Sequence, residues 1–298
     1  MGAGVSPVVR RRRLAAELRR LRTQAGRTLE EVAEYLECSA TKVSRIETGQ
    51  VRTRVQDVRE LLDCYGVTGP SREALLELVR QSRQKGWWYD YSDMISEDFR
   101  TYLGLEDEAA TIYTYETHLI PGLLQTEDYA RAVMATNQQT TPEAIERGLQ
   151  LRRTRQAALA DADGPRLWAV IDEAALHRQA GGPAVMSQQY RHLIDMAGQQ
   201  NIAIQVLPFT AGAHQGGSFP FTVLGFADPA DPKVAYAELL TTEHVIDVPD
   251  GVGRDHPADR RDESLRLSER KRAVGGRARR RADRVVRARR PPGSLAVI

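Results

Sequence analysis

The stretch that most constrains the fold is residues 28–49, TLEEVAEYLECSATKVSRIETG. It contains two runs of apolar residues at helical spacing, namely Leu29, Val32, Ala33 and Leu36, then Val43 and Ile46. Thr28 stands at an N-cap position with Glu31 three residues later, which makes a capping box, and Ser39 is a second N-cap. Because the break between the runs is too short to be a linker, the two helices must pack at a steep angle. The pattern predicts a helix-turn-helix whose second helix lies in the DNA major groove, with an ordinary helical hairpin as the alternative.

The sequence on either side extends this pair to five short helices. An amphipathic helix precedes it from Val8 to about Gln24, and two more follow at about 54–65 and 71–85. Glycines at the expected ends of the helices supply the positive φ that often closes a helix. These patterns predict a compact all-α domain over residues 8–85.

The net charge of +2 hides a strong asymmetry along the chain. Lys and Arg outnumber Asp and Glu by 17 to 11 in residues 1–85 and by 15 to 6 in residues 254–298, whereas residues 86–253 carry 10 basic and 23 acidic side chains. A basic first domain suits a polyanion, and an acidic middle region is repelled by DNA. The charges predict that one part of the chain holds DNA and another part holds something else.

Length and composition indicate a cytoplasmic protein of about two domains. The chain has 298 residues, and no apolar run approaches the roughly 18–20 residues of a membrane span. No apolar stretch follows the N-terminal arginines, as a secretory signal would require. The two cysteines, Cys38 and Cys64, match no metal-site spacing, so we expect small core thiols in a reducing compartment.

Residues 10–66 resemble the phage Cro/repressor-like (XRE) helix-turn-helix family. The segments that carry the resemblance are LRRLRTQAG, TLEEVAEYLECS and TKVSRIETG. The resemblance implies that base contacts fall on Ala40, Thr41 and Arg45. It implies that DNA backbone contacts fall on Thr28, Lys42, Arg52 and Arg54. It also implies a buried ion pair between Arg22 and Glu47. The family usually has Gln where this chain has Leu29, which removes a polar contact and leaves Leu29 as core or as an apolar contact.

The chemistry of these side chains agrees with the implied roles. Arg45 can make a bidentate contact to guanine, worth roughly 1–3 kcal/mol of discrimination. Thr41 can bond a base or touch a thymine methyl, whereas Ala40 offers only a methyl group. Phosphate contacts position a domain without specifying sequence. For Arg52 and Arg54, a solvated basic loop is the alternative to phosphate contact.

Residues 86–104, GWWYDYSDMISEDFRTYLG, form an aromatic junction between the basic and acidic regions. Aromatic rings bury large areas, so the cluster is expected to join two domains. The alternative is a ligand cage or partner surface that includes Trp87 and Trp88.

Residues 105–253 mix strand and helix patterns. Apolar or alternating segments predict four or five strands, with helices between them, so the fold class is mainly α with an α+β second domain. Residues 86–242 resemble a C-terminal domain of unknown function found downstream of XRE modules in antitoxin-like bacterial regulators, which are usually encoded beside a small partner protein. The matching segments are KGWWYDYSD, YETHLIPGLLQTEDYARAV, IDEAALHRQAGGP and IQVLPFTAGAHQGGSFPFTVLGF.

The second region offers weak candidates for chemistry. It has no metalloprotease, phosphate-loop or paired-cysteine motif, so we expect no enzyme, no catalytic residue, no metal and no cofactor. Asp172, Glu173 and His177 are near one another, but acidic residues at a helix start are usually caps. The Gly-rich loop 212–220 suggests a pocket lined by His214 and Phe219. The segment LIPGLLQTEDYA is either a partner surface or core.

The tail, residues 254–298, has fifteen basic and no aromatic residues. It is either a disordered basic arm that adds non-specific DNA affinity or the product of a shifted reading frame, since Arg, Ala, Gly and Pro predominate in out-of-frame translations of GC-rich genes. Resequencing the 3′ end of the gene distinguishes the two.

These observations lead to three hypotheses about function. The first is a homodimeric, sequence-specific transcriptional regulator whose acidic domain binds a small partner protein or effector. The second is an antitoxin-like protein that neutralises a co-encoded partner and regulates its own operon. The third, which we do not expect, is an enzyme with a DNA-binding appendage.

Overall fold

The computed structural model describes residues 6–161, 164–214, 219–229, 231–238 and 243–248. The first domain consists of five helices: α1 Pro7–Gln24, α2 Leu29–Tyr35, α3 Ala40–Glu47, α4 Val55–Cys64 and α5 Gly69–Gln81. Their apolar faces enclose one core, in which the most deeply buried side chains are Leu18, Val32, Val43, Val58, Leu61, Leu62 and Val79. Leu29, the departure from the helix-turn-helix family, packs against this core.

The second domain combines a six-stranded sheet with five helices in its described residues. The helices are α6 Glu97–Glu106, α7 Glu127–Met134, α8 Pro142–Ala160, α9 Glu173–His177 and α10 Pro183–Ala197. The strands are β1 Thr111–Glu116, β2 Arg166–Asp172, β3 Ile202–Leu207, β4 Phe221–Gly225, β5 Val234–Glu238 and β6 Glu243–Asp247. The predicted fold class is confirmed, but the predicted number of strands, four or five, was wrong, because β6 lies beyond residue 242, where the resemblance in the sequence ends.

The sheet is mixed, with the strand order β3-β2-β1-β4-β5-β6. β1, β2 and β3 are parallel, as the helices between them require, and β4, β5 and β6 run antiparallel. Alternate residues of β2 show its two faces: Leu167, Ala169 and Ile171 are buried in the core, whereas Trp168 and Val170 remain partly exposed. The sheet therefore has one helix-covered face and one open face.

The first helix belongs to both domains. Val8 and Val9, at its start, are buried in the core of the second domain together with Trp88. A Cβ at Gly104 would lie 2.3 Å from Cγ2 of Val8, so only glycine lets α6 approach α1 this closely. The side chain of Arg13, one turn further along α1, forms an ion pair of 2.6 Å with that of Asp231.

The aromatic junction acts as an interdomain core. Trp88 is only 1% exposed, so the prediction that it forms part of an effector surface is wrong. Trp87 packs edge-on against Trp88, and its Nε1 donates to Asp107 at 2.9 Å. Large aromatic rings bury much apolar area, so their packing here stabilises the contact between the two domains.

No helix among the described residues is long and apolar enough to cross a membrane. The basic tail predicted at 254–298 lies outside the described residues.

Candidate nucleic-acid interface

Helix α3 is held with one face in the core and the opposite face in solvent. The hydroxyl of Ser39 caps the helix by accepting a hydrogen bond from the Lys42 N–H at 3.2 Å. Val43 and Ile46 are buried to 2% exposure or less, whereas Thr41, Lys42 and Arg45 are exposed. A short amphipathic helix with exposed polar residues in its N-terminal half is the geometry that major-groove reading requires.

The three candidate base contacts differ in access. Arg45 and Thr41 are exposed, so their side chains can reach a groove. Ala40 is half-buried and packs against the core, which leaves it little surface for a base. Specific hydrogen bonds at this surface therefore depend on Arg45 and Thr41.

The candidate phosphate contacts differ in how far their side chains are held by hydrogen bonds within the protein. Thr28 is exposed and completes the capping box, since its hydroxyl accepts from the Glu31 N–H at 3.2 Å. Lys42 Nζ donates to Asp57 Oδ1 at 2.9 Å, and this hydrogen bond raises the pKa of Lys42. Arg54 is exposed at the N-cap of α4. On the loop after α3, Arg54 is thus a candidate DNA backbone contact whose side chain is accessible to solvent.

Arg52 has a contact that the sequence did not indicate. Its guanidinium lies 4.6 Å from the centre of the Tyr89 ring, in the aromatic junction. Burial lowers the pKa of Arg52, and the charges of Arg100 and Arg83 lower it further. The loop after the recognition helix is thus tied to the junction that joins the domains.

A groove of about 430 Å³ runs between the two domains beside α3. Arg45 and Arg52 line it from the first domain, and Glu97 and Arg100 line it from α6. Arg11, half-buried at its edge, has its pKa lowered by desolvation and by the charge of Arg52. Sequence reasoning missed Arg11 and Arg100, because only the packing of α1 and α6 brings them beside the recognition helix.

The implied ion pair forms the centre of the helix-turn-helix. Arg22 Nε lies 2.9 Å from both carboxylate oxygens of Glu47, and Arg22 also donates to the carbonyl of Arg27 at 2.8 Å. The Tyr65 hydroxyl donates to Glu47 at 3.2 Å, and burial and the Glu47 charge raise the pKa of Tyr65. Because Glu47 is only 5% exposed, this cluster fixes the end of α3 against α1 and α4. Tyr65 was not predicted from the sequence.

The candidates in the second domain separate into surface and core. His214 lies on the open sheet face, where its Nε2 is 3.3 Å from the Tyr115 hydroxyl and it shares a small cleft with Trp168. Phe221, rather than the predicted Phe219, lines that cleft. The segment LIPGLLQ is core, with four of its side chains no more than 5% exposed: Ile120, Leu123, Leu124 and Gln125.

The acidic residues beside His177 are structural, as expected. Asp172 caps α9 by accepting from the Ala174 N–H at 2.8 Å. Glu173 accepts from the Phe209 N–H at 2.8 Å and pairs with the exposed His177. Each carboxylate therefore has a structural partner.

Two family models match the chain. One is described as a helix-turn-helix domain and matches residues 13–75, and the other is a domain of unknown function (DUF5753) that matches residues 99–261. The second match covers more than half of the chain. It extends beyond residue 242, where the resemblance noted in the sequence ends, and beyond residue 253, the predicted end of the second domain. No curated protein matches the chain.

Proposed function

The chain belongs to the DUF5753 family, and we propose that this member is a sequence-specific DNA-binding transcription regulator of the Cro/repressor-like (XRE) type. The observation that carries the proposal is the presentation of α3, whose exposed Thr41, Lys42 and Arg45 stand on a buried face fixed by Arg22 and Glu47. A rigid support of this kind holds base-reading side chains in register with the groove.

We propose that the regulator binds as a homodimer. Helix α3, all of whose residues are described, presents two accessible side chains among its candidate base contacts, Thr41 and Arg45, so one α3 specifies few base pairs. Two copies that read half-sites one helical turn apart would double the number of specified positions. The expected operator is a short inverted repeat.

In the same proposal, the second domain receives the signal and has no enzymatic role. Its acidic composition argues against a DNA contact of its own, because like charges repel the phosphate backbone. The packing of Val8 and Arg52 against the junction connects that domain to the recognition helix. Binding of a small effector or partner protein at the second domain would then affect DNA binding by the recognition helix.

An antitoxin-like role is the second candidate, and the open sheet face favours it. Tyr113, Trp168, Val170 and Phe221 lie there partly exposed, beside His214. A patch of large apolar side chains is typical of a protein-binding surface. If this role is correct, co-expression with a small protein encoded beside the gene will give a stable complex and relieve that protein's toxicity.

Selection from random DNA duplexes with the full chain tests the proposed function. We expect enrichment of an inverted repeat whose half-sites share a guanine. The Arg54→Ala variant should enrich the same sequence, bind every duplex more weakly and lose about one unit of salt slope, because a phosphate contact carries no sequence information. Absence of any enriched sequence from the wild type would overturn the proposal.

A further inference from the structure

A cleft of about 460 Å³ lies in the second domain between the sheet and helices α6 and α8. Its floor is formed by the ends of β1, β4 and β5, and its walls by the two helices and the segment 117–125. The volume falls within the range of small-ligand sites, roughly 300–1,000 Å³. Among the described residues, the cleft shares no lining residue with α3 or with the interdomain groove, and it meets the small cleft on the open sheet face only at Thr114 and Phe221.

The floor of the cleft is polar, although the same face of the sheet is otherwise an apolar core. Ile112 and Leu224 are buried at one end of it. Two residues away on each of these paired strands, the Thr222 hydroxyl donates a hydrogen bond of 3.1 Å to the Thr114 hydroxyl. Because alternate residues of a strand share a face, Glu116 follows Thr114 into the cleft, and Glu238 enters it from β5. The cleft floor therefore carries carboxylates where the rest of this sheet face is apolar.

The opposite wall carries two arginines that differ in their partners. Arg155 pairs with Glu106 through two hydrogen bonds of 2.7 and 2.8 Å. Arg152 has no carboxylate within ion-pair distance in the described part of the chain. One of its Nη atoms donates to the Gln125 amide oxygen, and its buried Nε has no hydrogen-bond partner. The wall therefore carries one positive charge, that of Arg152, that no carboxylate on the wall neutralises.

The loop above the arginines is fixed in place by side-chain amides. The Gln156 amide nitrogen donates to the carbonyls of Gly122 and Gln125, at 3.2 and 2.8 Å. A methyl group built on Gly122 would contact both guanidinium groups, at 3.7 Å from Arg155 and 3.8 Å from Arg152. The positive end of the cleft is thus pre-organised before any ligand arrives.

We propose that this cleft binds a small amphoteric ligand of the amino-acid type, with its carboxylate on Arg152 and its ammonium group on Glu116. The proposal rests on the proposed function, since the ligand would be the effector that the second domain receives. Arg152 and Glu116 line one cleft but form no ion pair with each other, although both are among the described residues. A molecule with opposite charges at its two ends would neutralise both groups, which neither a simple anion nor a simple cation can do.

Two further features fit this ligand. Tyr102 and Tyr236 stack with ring centres 4.3 Å apart, and Phe99 stacks on Tyr102, so an aromatic wall faces the apolar body of the ligand. Burial and the charge of Glu238 raise the pKa of Glu116 to about 7. An ammonium group beside Glu116 would reverse that shift by favouring its charged form.

Thermal unfolding and calorimetric titration of the full chain test the proposal. The probes are the standard L-amino acids, each compared with the amine left when its carboxylate is removed and the acid left when its amine is removed. We expect at least one amino acid to raise the Tm and to bind more tightly than either of its truncated forms. Arg152→Met should weaken that binding by about 10- to 100-fold, the loss expected for a charge-assisted hydrogen bond. Glu116→Gln should weaken it as well.

Arg153→Met is the matched control, because Arg153 is the next residue of α8 and its side chain is 56% exposed, in a surface pair with Glu127. It should bind the amino acid as the wild type does. The proposal is overturned if no amino acid binds, if a truncated form binds as tightly, or if Arg152→Met binds as well as Arg153→Met. Selection of DNA by the ligand-free chain is independent of these results, so failure here leaves the DNA-binding function standing.

Discussion

The two domains contain the same buried cluster of Arg, Glu and Tyr and use it differently. In the first domain, Arg22 and the Tyr65 hydroxyl converge on Glu47. In the second domain, Arg155 and the Tyr102 hydroxyl converge on Glu106, with the hydroxyl hydrogen bond at 2.5 Å. Each carboxylate accepts from a guanidinium and a phenol, which compensates for its removal from water.

The difference lies in what stands beside each cluster. The charges of Arg22 and Glu47 balance, and the groups around them are the packed helices of a DNA-binding domain. Beside Arg155 lies Arg152, which adds a charge and faces a cleft. A buried cluster whose charges balance can act in structure alone, whereas a charge at a cavity that no carboxylate neutralises supports the proposed ligand site.

The largest effect is expected from Arg155→Met. Burial by itself lowers the pKa of Arg155, but the charge of Glu106 raises it overall, so the pair is strongly coupled. Removing the guanidinium leaves a buried, uncompensated carboxylate, at a cost of about 3–5 kcal/mol. Chemical denaturation of the full chain measures the change. Arg152→Met, one turn away, should cause no loss of stability, because Arg152 has no carboxylate to leave unpaired.

Arg22→Met should cause a similar but smaller loss of about 2–4 kcal/mol, since the Arg22 side chain is somewhat more exposed (16%, compared with 11% for Arg155). The loss should be accompanied by weaker DNA binding, because Glu47 ends α3. Arg20→Met, on the same helix in an exposed pair with Glu17, is the control. An unfolding midpoint equal to that of the control would show that the buried cluster has no structural importance.

Glu116→Gln should change the pH dependence of stability. The pKa of Glu116 is about 7 in the folded chain against an ordinary value of 4.5, so the folded state binds the proton more tightly. Stability from this group is fully present below pH 4.5 and is lost as the pH rises through 7. The titratable groups that interact with it through charge are Glu238 of β5 and Tyr129 of α7, and Arg152 and Arg155 of α8 and His118 line the same cleft.

The variant should therefore be more stable than the wild type at pH 8, by roughly 1–3 kcal/mol, and equal to it near pH 4. Denaturation at the two pH values measures this, with Glu34→Gln at an exposed position of α2 as the control. A difference that is the same at both pH values would contradict the buried ionisation.

The first domain was easier to predict from the sequence than the second. Helix caps, apolar periodicity and a short break define the helix-turn-helix locally, so Thr28, Ser39 and Val43 were placed correctly. The Arg22–Glu47 contact required the resemblance, because its two residues come from different helices.

The cleft could not be predicted from the sequence, because it is assembled from distant segments. Glu116, Arg152 and Tyr236 come from three separate elements, and nothing in their local sequences distinguishes them from surface residues. Trp88 was assigned to two alternatives, and only its contact with Val8 decides between them.

The most direct test of the DNA-binding account is a double-mutant cycle between Arg45 and the guanine of the selected operator. Arg45→Ala and replacement of that guanine should each weaken binding by about 1–3 kcal/mol, the value of a bidentate contact. If Arg45 reads that base, both changes together should cost no more than either alone. Additive losses, with Arg45→Ala equally weak on every sequence, would contradict base reading by α3.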